Sequence, residues 1–232
     1  MDKKESIFLA KKYFTELVYN SAQIEGCNVT FPQTQTIIDG AVVNNVSVDD
    51  IQTVLNLKDA FRYLVNNIDC ETNLNYICKI NEFVSRNESL MWGVLRNGNI
   101  GISGTSWKPI IPKENDVETD ISKLNAIENP LNRALEFFCY ITKNQLFWDR
   151  NKRTALIVAN KVMIENNLGI MTIDKEHALN FNESLLKYYD TNKNTDLKNC
   201  LMKCIKVLDK EINKDTIQSE KSKFLSSYDY ER

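Results

Sequence analysis

The segment RTALIVANKVMIEN, Arg153 to Asn166, is apolar on almost every side. A helix with one apolar stripe lies on a surface, whereas one that is apolar all round has to be enclosed. The chain must therefore supply other helices to surround it, and their periodicity is visible. Ile7, Ala10, Phe14 and Leu17 form one stripe, Val54, Leu57, Phe61 and Leu64 a second, and Tyr76, Ile80, Phe83 and Val84 a third. Leu135, Phe138 and Ile141 line a helix from Asn132 to Asn144. Beyond the enclosed helix, which stops near Asn166–Gly169, come Ala178, Phe181, Leu185 and Tyr188, then Leu197, Leu201, Cys204 and Leu208. Only 7 glycines and 4 prolines occur in 232 residues, which favours helices with short connections over a sandwich or barrel. The expected fold class is all-α, a helical domain around the buried helix at about 152–166.

Local signals mark several helix ends. NSAQIEG reads as a short helix closed by Gly26. FPQTQTIIDG reads as another, with Pro32 in its first turn and Gly40 past its end. Ser47, followed three residues on by Asp50, predicts a capping box for a helix reaching about Asn66. One stretch breaks the helical pattern. GVLRNGNIGISGTSWKPIIP holds four of the seven glycines and two of the four prolines. Its β-branched residues around Asn-Gly-Asn predict a small β-hairpin at about 94–103. In a helical protein such a feature is either a connector or part of a binding site.

Composition excludes some functions. The net charge of −2 gives no basis for general electrostatic capture of nucleic acid. Six cysteines, at 27, 70, 78, 139, 200 and 204, form no CxxC pair, and His177 is the sole histidine, so zinc is not expected. Several of these cysteines lie within apolar stripes, as reduced buried thiols do, which points to a reducing, cytoplasmic setting. The start, MDKKESIFLAKKYF, has no long apolar run, so neither a signal peptide nor a membrane span is expected.

The chemistry concentrates in QLFWDRNKRTAL, Gln145 to Leu156, the turn that feeds the enclosed helix. The first turn of a buried helix offers free backbone N–H groups and the positive end of the helix dipole, which together attract anions. Asn151, Lys152 and Arg153 add donors and charge at that place. Asp149 stands ready to share Mg²⁺ with a phosphate, and Phe147 to anchor the turn in the core.

This turn resembles the signature of Fic/Doc (Fido) proteins, His-x-Phe-x-(Asp/Glu)-Gly-Asn-(Gly/Lys)-Arg-x-x-Arg, through Phe147, Asp149, Asn151, Lys152 and Arg153. SAQIEG resembles the family's inhibitory motif, (Ser/Thr)-x-x-x-Glu-(Gly/Asn), through Ser21, Glu25 and Gly26. The Gly/Pro-rich stretch resembles the flap that positions the target side chain, with Ile100, Gly101, Ile102 and Ser103 at its centre. The resemblance spans roughly residues 10–205. It implies ATP and Mg²⁺ as cofactors, Asp149 as the metal ligand, and Arg150, Asn151, Lys152 and Arg153 as the phosphate-binding group. It implies a protein hydroxyl as acceptor of AMP, a self-inhibited class with Glu25 as the inhibitory residue, and a homodimer as a further possible partner. The implied organisation is residues 1–45 as N-terminal helices with the inhibitory helix at about 20–26, residues 46–212 as the Fic core with a flap at about 93–112, and residues 213–232 as a charged tail.

Three positions depart from the signature. Gln145 stands where the family has its catalytic histidine, and an amide cannot act as a base. Arg150 replaces the glycine of the turn, and its side chain either fills the phosphate site or reaches a phosphate itself. Leu156 replaces the second arginine, which leaves Glu25 without its usual partner. His177 lies well beyond the motif and is not expected to substitute for the missing base. The expected function is therefore a Fic-type adenylyltransferase of weak or lost activity. The alternatives are a pseudoenzyme that binds a nucleotide or a partner, or a relative of the Doc-like kinase toxins, whose form NKRTAL resembles.

Overall fold

The computed structural model describes residues 2–207. Its helices are α1 (Lys3–Lys12), α2 (Phe14–Gln23), α3 (Phe31–Ile38), α4 (Val48–Asn66), α5 (Leu74–Ser85), α6 (Glu114–Asn125), α7 (Pro130–Asn144), α8 (Asn151–Glu165), α9 (Lys175–Thr191) and α10 (Thr195–Lys203). The strands β1 (Ile170–Met171) and β2 (Ile205–Lys206) pair antiparallel. The all-helical expectation holds, and α8 is the enclosed element: every residue from Arg153 to Ile164 is buried. Helix α7 packs along it most extensively, and α5, α1 and α4 close other sides. No helix among the described residues is long and apolar enough to cross a membrane.

Burying α8 on all sides requires its polar residues to find partners. Asn160 donates from Nδ2 to the carbonyls of Leu156 and Met171, and its Oδ1 accepts from Met171 N–H. That one amide fastens β1 to the helix. Lys161 runs its stem through the interior, pairs with Glu165 at 2.8 Å and lies over the Tyr76 ring.

Helix ends follow local chemistry with some differences from expectation. Gly26 and Gly40 adopt the left-handed conformation past α2 and α3. NSAQIEG is the last part of α2 and the turn after it, and the chain breaks instead at Tyr13, inside the Ile7–Leu17 stripe. Ser47 caps α4 by accepting from Asp50 N–H at 3.0 Å, but the reciprocal half of a box is missing. The Asp50 carboxylate accepts instead from the Ser47 hydroxyl and from Asn28 N–H. Full boxes lie at α1, between Asp2 and Glu5, and at α3, between Thr30 and Gln33. His177 sits in the first turn of α9, where its ring and backbone N–H both engage Asp174. Leu208 and the tail at 213–232 lie outside the described residues.

The predicted hairpin at 94–103 does not form; the chain from 86 to 113 contains no strand. The loop is organised instead around Arg96, only 1% exposed. Its guanidinium donates to the carbonyls of Gln145 (2.6 Å), Gly98 (2.7 Å), Ile110 (2.6 Å), Asn144 (3.2 Å) and Pro109 (3.3 Å). Of these acceptors only Gly98 O belongs to the predicted hairpin; the others tie the loop to its own far end and to the end of α7. Arg96 N–H bonds to Leu146 O at 3.0 Å, so the loop is fixed to the turn before α8. Gly98 is required by close approach, because a Cβ there would meet the Trp148 ring at 2.6 Å. Burial lowers the pKa of Arg96 below the usual guanidinium value.

Replacing Arg96 with Met keeps length and apolar stem but strands five carbonyls. We expect a loss of at least about 3 kcal/mol in urea unfolding, given that a buried acceptor without its donor costs ~1–3 kcal/mol. Hydrogen exchange across 93–112 should rise in the same variant. A fully stable variant with unchanged exchange would show that the loop holds its shape without the guanidinium.

Candidate functional site

The reversal from α7 to α8 takes six residues. Gln145 ends α7 at φ 46° and Arg150 opens α8 at φ 61°, both in the left-handed region. A non-glycine residue there costs roughly 1–2 kcal/mol, and bonds around the turn offset it. Leu146 and Phe147 are fully buried and anchor the turn in the core. Asn151 closes it: Oδ1 accepts from Phe147 N–H (3.0 Å), and Nδ2 donates to Phe147 O (2.9 Å) and Gln145 Oε1 (3.1 Å). Asn81 on α5 donates to Asp149 O and to the Thr154 hydroxyl, and accepts from Gly93 N–H. Helix α5, the loop and the start of α8 therefore move as one piece.

A cavity of about 260 Å³ opens against this turn. Its wall brings together Glu25, Ile102, Ser103, Gln145, Asp149, Arg150, Asn151 and Lys152, eight positions singled out in the sequence. Helix α9 completes the wall with Asn182, Leu185, Leu186 and Tyr189. Ile100 and Gly101 are not part of the lining. Ser21 is on the buried side of α2, and its hydroxyl has no hydrogen-bond partner. Arg153, 3% exposed, faces a second cavity of about 330 Å³. Glu25 and Arg150 line both cavities.

Gln145, Asp149, Arg150 and Asn151 of this wall are engaged with one another or with neighbouring groups, whereas Glu25 Oε1 is buried without a hydrogen-bond partner. Gln145 Nε2 donates to Thr142 O (2.7 Å) and to the Tyr189 hydroxyl (3.2 Å), while Oε1 accepts from Asn151. Asp149 accepts from Arg150 N–H (2.7 Å) and pairs with Arg150 Nη1 (2.9 Å). Lys152 lies 3.4 Å from Glu25 Oε1. Leu156 is 1% exposed within the core and offers Glu25 nothing, so the lysine is the cation that meets it. Arg150 and Arg153 converge on one oxygen, Glu88 Oε2, at 3.1 and 3.3 Å. Burial raises the pKa of Tyr189, so its phenol stays protonated near neutral pH.

Two facts at the helix start suit an anion. No side chain caps α8, and its first backbone bond runs from Thr154 N–H to Arg150 O, so the three N–H groups before it precede the ladder. Three basic side chains surround the same place. A magnesium ion fits less simply. Among the described residues no three acidic, cysteine or histidine groups gather for a metal, and Asp149, which shares the cavity wall with Glu25, has both oxygens engaged by Arg150. Asp149 suits Mg²⁺ only in company with phosphate oxygens and with Arg150 displaced.

Residues 71–163 match the Fic/DOC family. The Fic/DOC match takes in α5, the Arg96 loop, α6, α7, the turn and nearly all of α8; Glu25 lies outside it. No curated protein matches the chain. Among solved structures, residues 134–508 of Fic-1 from Caenorhabditis elegans align with a TM-score of 0.74 at 18% identity, covering 95% of this chain and 67% of that one. A Fic domain containing signaling protein from Bacteroides thetaiotaomicron aligns at 0.71 and 19%, covering 88% and 87%. A Fic family protein from Desulfovibrio desulfuricans aligns at 0.67 and 17%, covering 92% and 66%. At these identities the likeness concerns the fold, and it extends across both the N-terminal helices and the matched segment.

The sequence reading missed Glu88, Asn182, Leu186 and Tyr189 as site residues. Leu185 was visible as part of an apolar stripe, but nothing in a stripe shows that it borders a cavity. Glu88 lies in the unpatterned stretch SRNESL and carries no local signal.

Arg150→Gly should relieve the left-handed backbone while losing two ion pairs. These act in opposite directions, so we expect a change in unfolding free energy within about 1 kcal/mol. Urea denaturation checks it; a loss of several kcal/mol would mean that the Glu88 and Asp149 contacts hold the turn together.

Proposed function

We propose that this chain is a Fic-fold protein with a nucleotide site closed by its own carboxylates and with little or no transfer activity. The observation that carries this reading is the gathering of Glu25, Gln145, Asp149, Arg150, Asn151 and Lys152 around one cavity at the uncapped start of α8. That placement supports ATP phosphates at the helix N-terminus, where backbone N–H groups and basic side chains favour negative charge. Asp149 is the residue to hold Mg²⁺ together with those phosphates. The ion, when bound, would neutralise phosphate charge. At about 260 Å³ the cavity is smaller than the ~300–1,000 Å³ usual for ligand sites. A whole nucleotide therefore requires Glu25 and Arg150 to move.

Loss of chemistry follows from Gln145. The position resembles that of the family's catalytic base, and a base contributes ~10²–10⁴-fold to rate. An amide cannot take the proton, and this one is committed to three hydrogen bonds that fix its orientation. The Glu25–Lys152 pair supports self-inhibition with a lysine in the role of the absent second arginine. A kinase related to the Doc-like toxins draws less support, because it would need the same missing base. A protein hydroxyl as acceptor and a homodimer are parts of this proposal that rest on the resemblance, and cytoplasmic residence rests on the cysteines within apolar stripes.

The test is calorimetric titration with ATP, with and without Mg²⁺. Glu25→Gly should bind ATP at least tenfold more tightly than the native chain, and Asp149→Ala should abolish the Mg²⁺ dependence. No binding by either protein at millimolar ATP would overturn the nucleotide site. Separately, Gln145→His combined with Arg150→Gly should raise AMP transfer from labelled ATP above the native level. No gain would place the barrier elsewhere, with Leu156 the next position to change.

A further inference from the structure

Helices α1, α2, α3 and α4 meet around a cavity of about 390 Å³ that shares no lining residue with the cavity against the α8 turn. Its floor is apolar: Phe14 and Val65 are half-buried against the core, and Ile38 is buried. Its charge is all of one sign. Lys11 comes from α1 and Arg62 from α4; both are exposed, and neither forms an ion pair among the described residues. Lys58, one turn before Arg62, adds a cation at the end of α3, where it donates to Ile38 O at 2.7 Å.

No carboxylate lines this cavity. Those close to it in sequence are taken by other groups. Gln35 Nε2 donates to both oxygens of Asp39, at 2.9 and 3.0 Å, Lys206 holds Glu16, and Lys3 holds Asp69. The two cavities at the start of α8, and a further one between α9 and α10, each set carboxylates beside their cations. Free cations above an apolar floor complement a ligand that carries carboxylates beside an apolar group. The volume lies within the ~300–1,000 Å³ usual for ligand sites.

Two features favour a chain segment over a small molecule. The apolar surface continues past the cavity to Phe8, 58% exposed and three residues before Lys11 on the same helix. The lining also offers groups that a peptide backbone can use. The Asn66 side chain makes no hydrogen bond among the described residues, and the Thr15 hydroxyl, which donates to Gln35 Oε1 at 2.5 Å, keeps its lone pairs free to accept.

We propose that this four-helix cavity is a docking site for an acidic segment of a partner protein, with a large apolar side chain on the Phe14–Ile38–Val65 floor and carboxylates on Lys11 and Arg62. It stands apart from the nucleotide reading, and either can fail alone.

The experiment is fluorescence anisotropy of the full chain with a labelled octapeptide that has Phe-Leu at its centre and three glutamates on each side. Binding should show a Kd below about 1 mM at low ionic strength and weaken with added salt. Lys11→Gln and Arg62→Gln, both at exposed positions, should each weaken it about threefold and together about tenfold. Lys175→Gln, at an exposed lysine of α9, should leave it unchanged. Val65→Glu, which sets a carboxylate in the floor, should abolish it. A peptide with Ser-Ser in place of Phe-Leu should bind at least tenfold more weakly. No binding, equal binding of the serine peptide, or no loss in the Lys11 and Arg62 variants would overturn the proposal. Decanoate that binds more tightly than the peptide, with the same dependence on Lys11 and Arg62, would assign the cavity to a free amphiphile and overturn it too.

Discussion

A helix enclosed on every side has nowhere to hide the positive end of its dipole. In α8 that end is followed at once by Lys152 and Arg153 and preceded by Arg150, so positive charge accumulates at one buried point. Folding must neutralise it, and the chain does so with two carboxylates drawn from far away in sequence and one from beside the helix. Glu25 comes from the turn after α2, Glu88 from the end of α5, and Asp149 from the reversal itself. The result is a site whose charges answer one another internally. Affinity for an external anion then depends on how easily those carboxylates give way.

The geometry of the turn depends in the same way on contacts made outside it. Two left-handed residues, Gln145 and Arg150, bracket a reversal that has no glycine. Asn151 staples its backbone from within. Arg96 grips the carbonyls of Asn144 and Gln145 from the loop, and Lys143 fixes the α9 backbone through Tyr188 O and Tyr189 O while lying 3.8 Å above the Trp107 ring. Burial lowers the pKa of Lys143, although the carbonyls and the aromatic face favour its charged form. Each of these buried cations ties together the backbone at one wall of the cavity.

Much of this could be read from the sequence, and the exceptions have physical causes. The enclosed helix announced itself because apolar residues on all faces permit only burial. The turn announced itself because its donors and its carboxylate are adjacent in the chain. Helix α6 did not, since only Val117 and Ile121 of its twelve residues are buried and two positions make no stripe. The hairpin reading failed because Asn-Gly-Asn signals a turn without revealing where the flanking carbonyls go. The stretch is held instead by Arg96, whose partners lie up to 49 residues away. Glu88 was invisible for the same reason: its role depends on the meeting of α4, α5 and α8, and no local pattern records it.

The most direct test is to incubate the unaltered protein with α-phosphate-labelled ATP and Mg²⁺, alone and with a cell lysate, and to follow label on protein. The account predicts no transfer to the chain itself or to any lysate protein above a boiled control, because Gln145 supplies no base. Clear labelling by the unaltered chain would contradict it, and would mean that another group of the cavity removes the acceptor's proton.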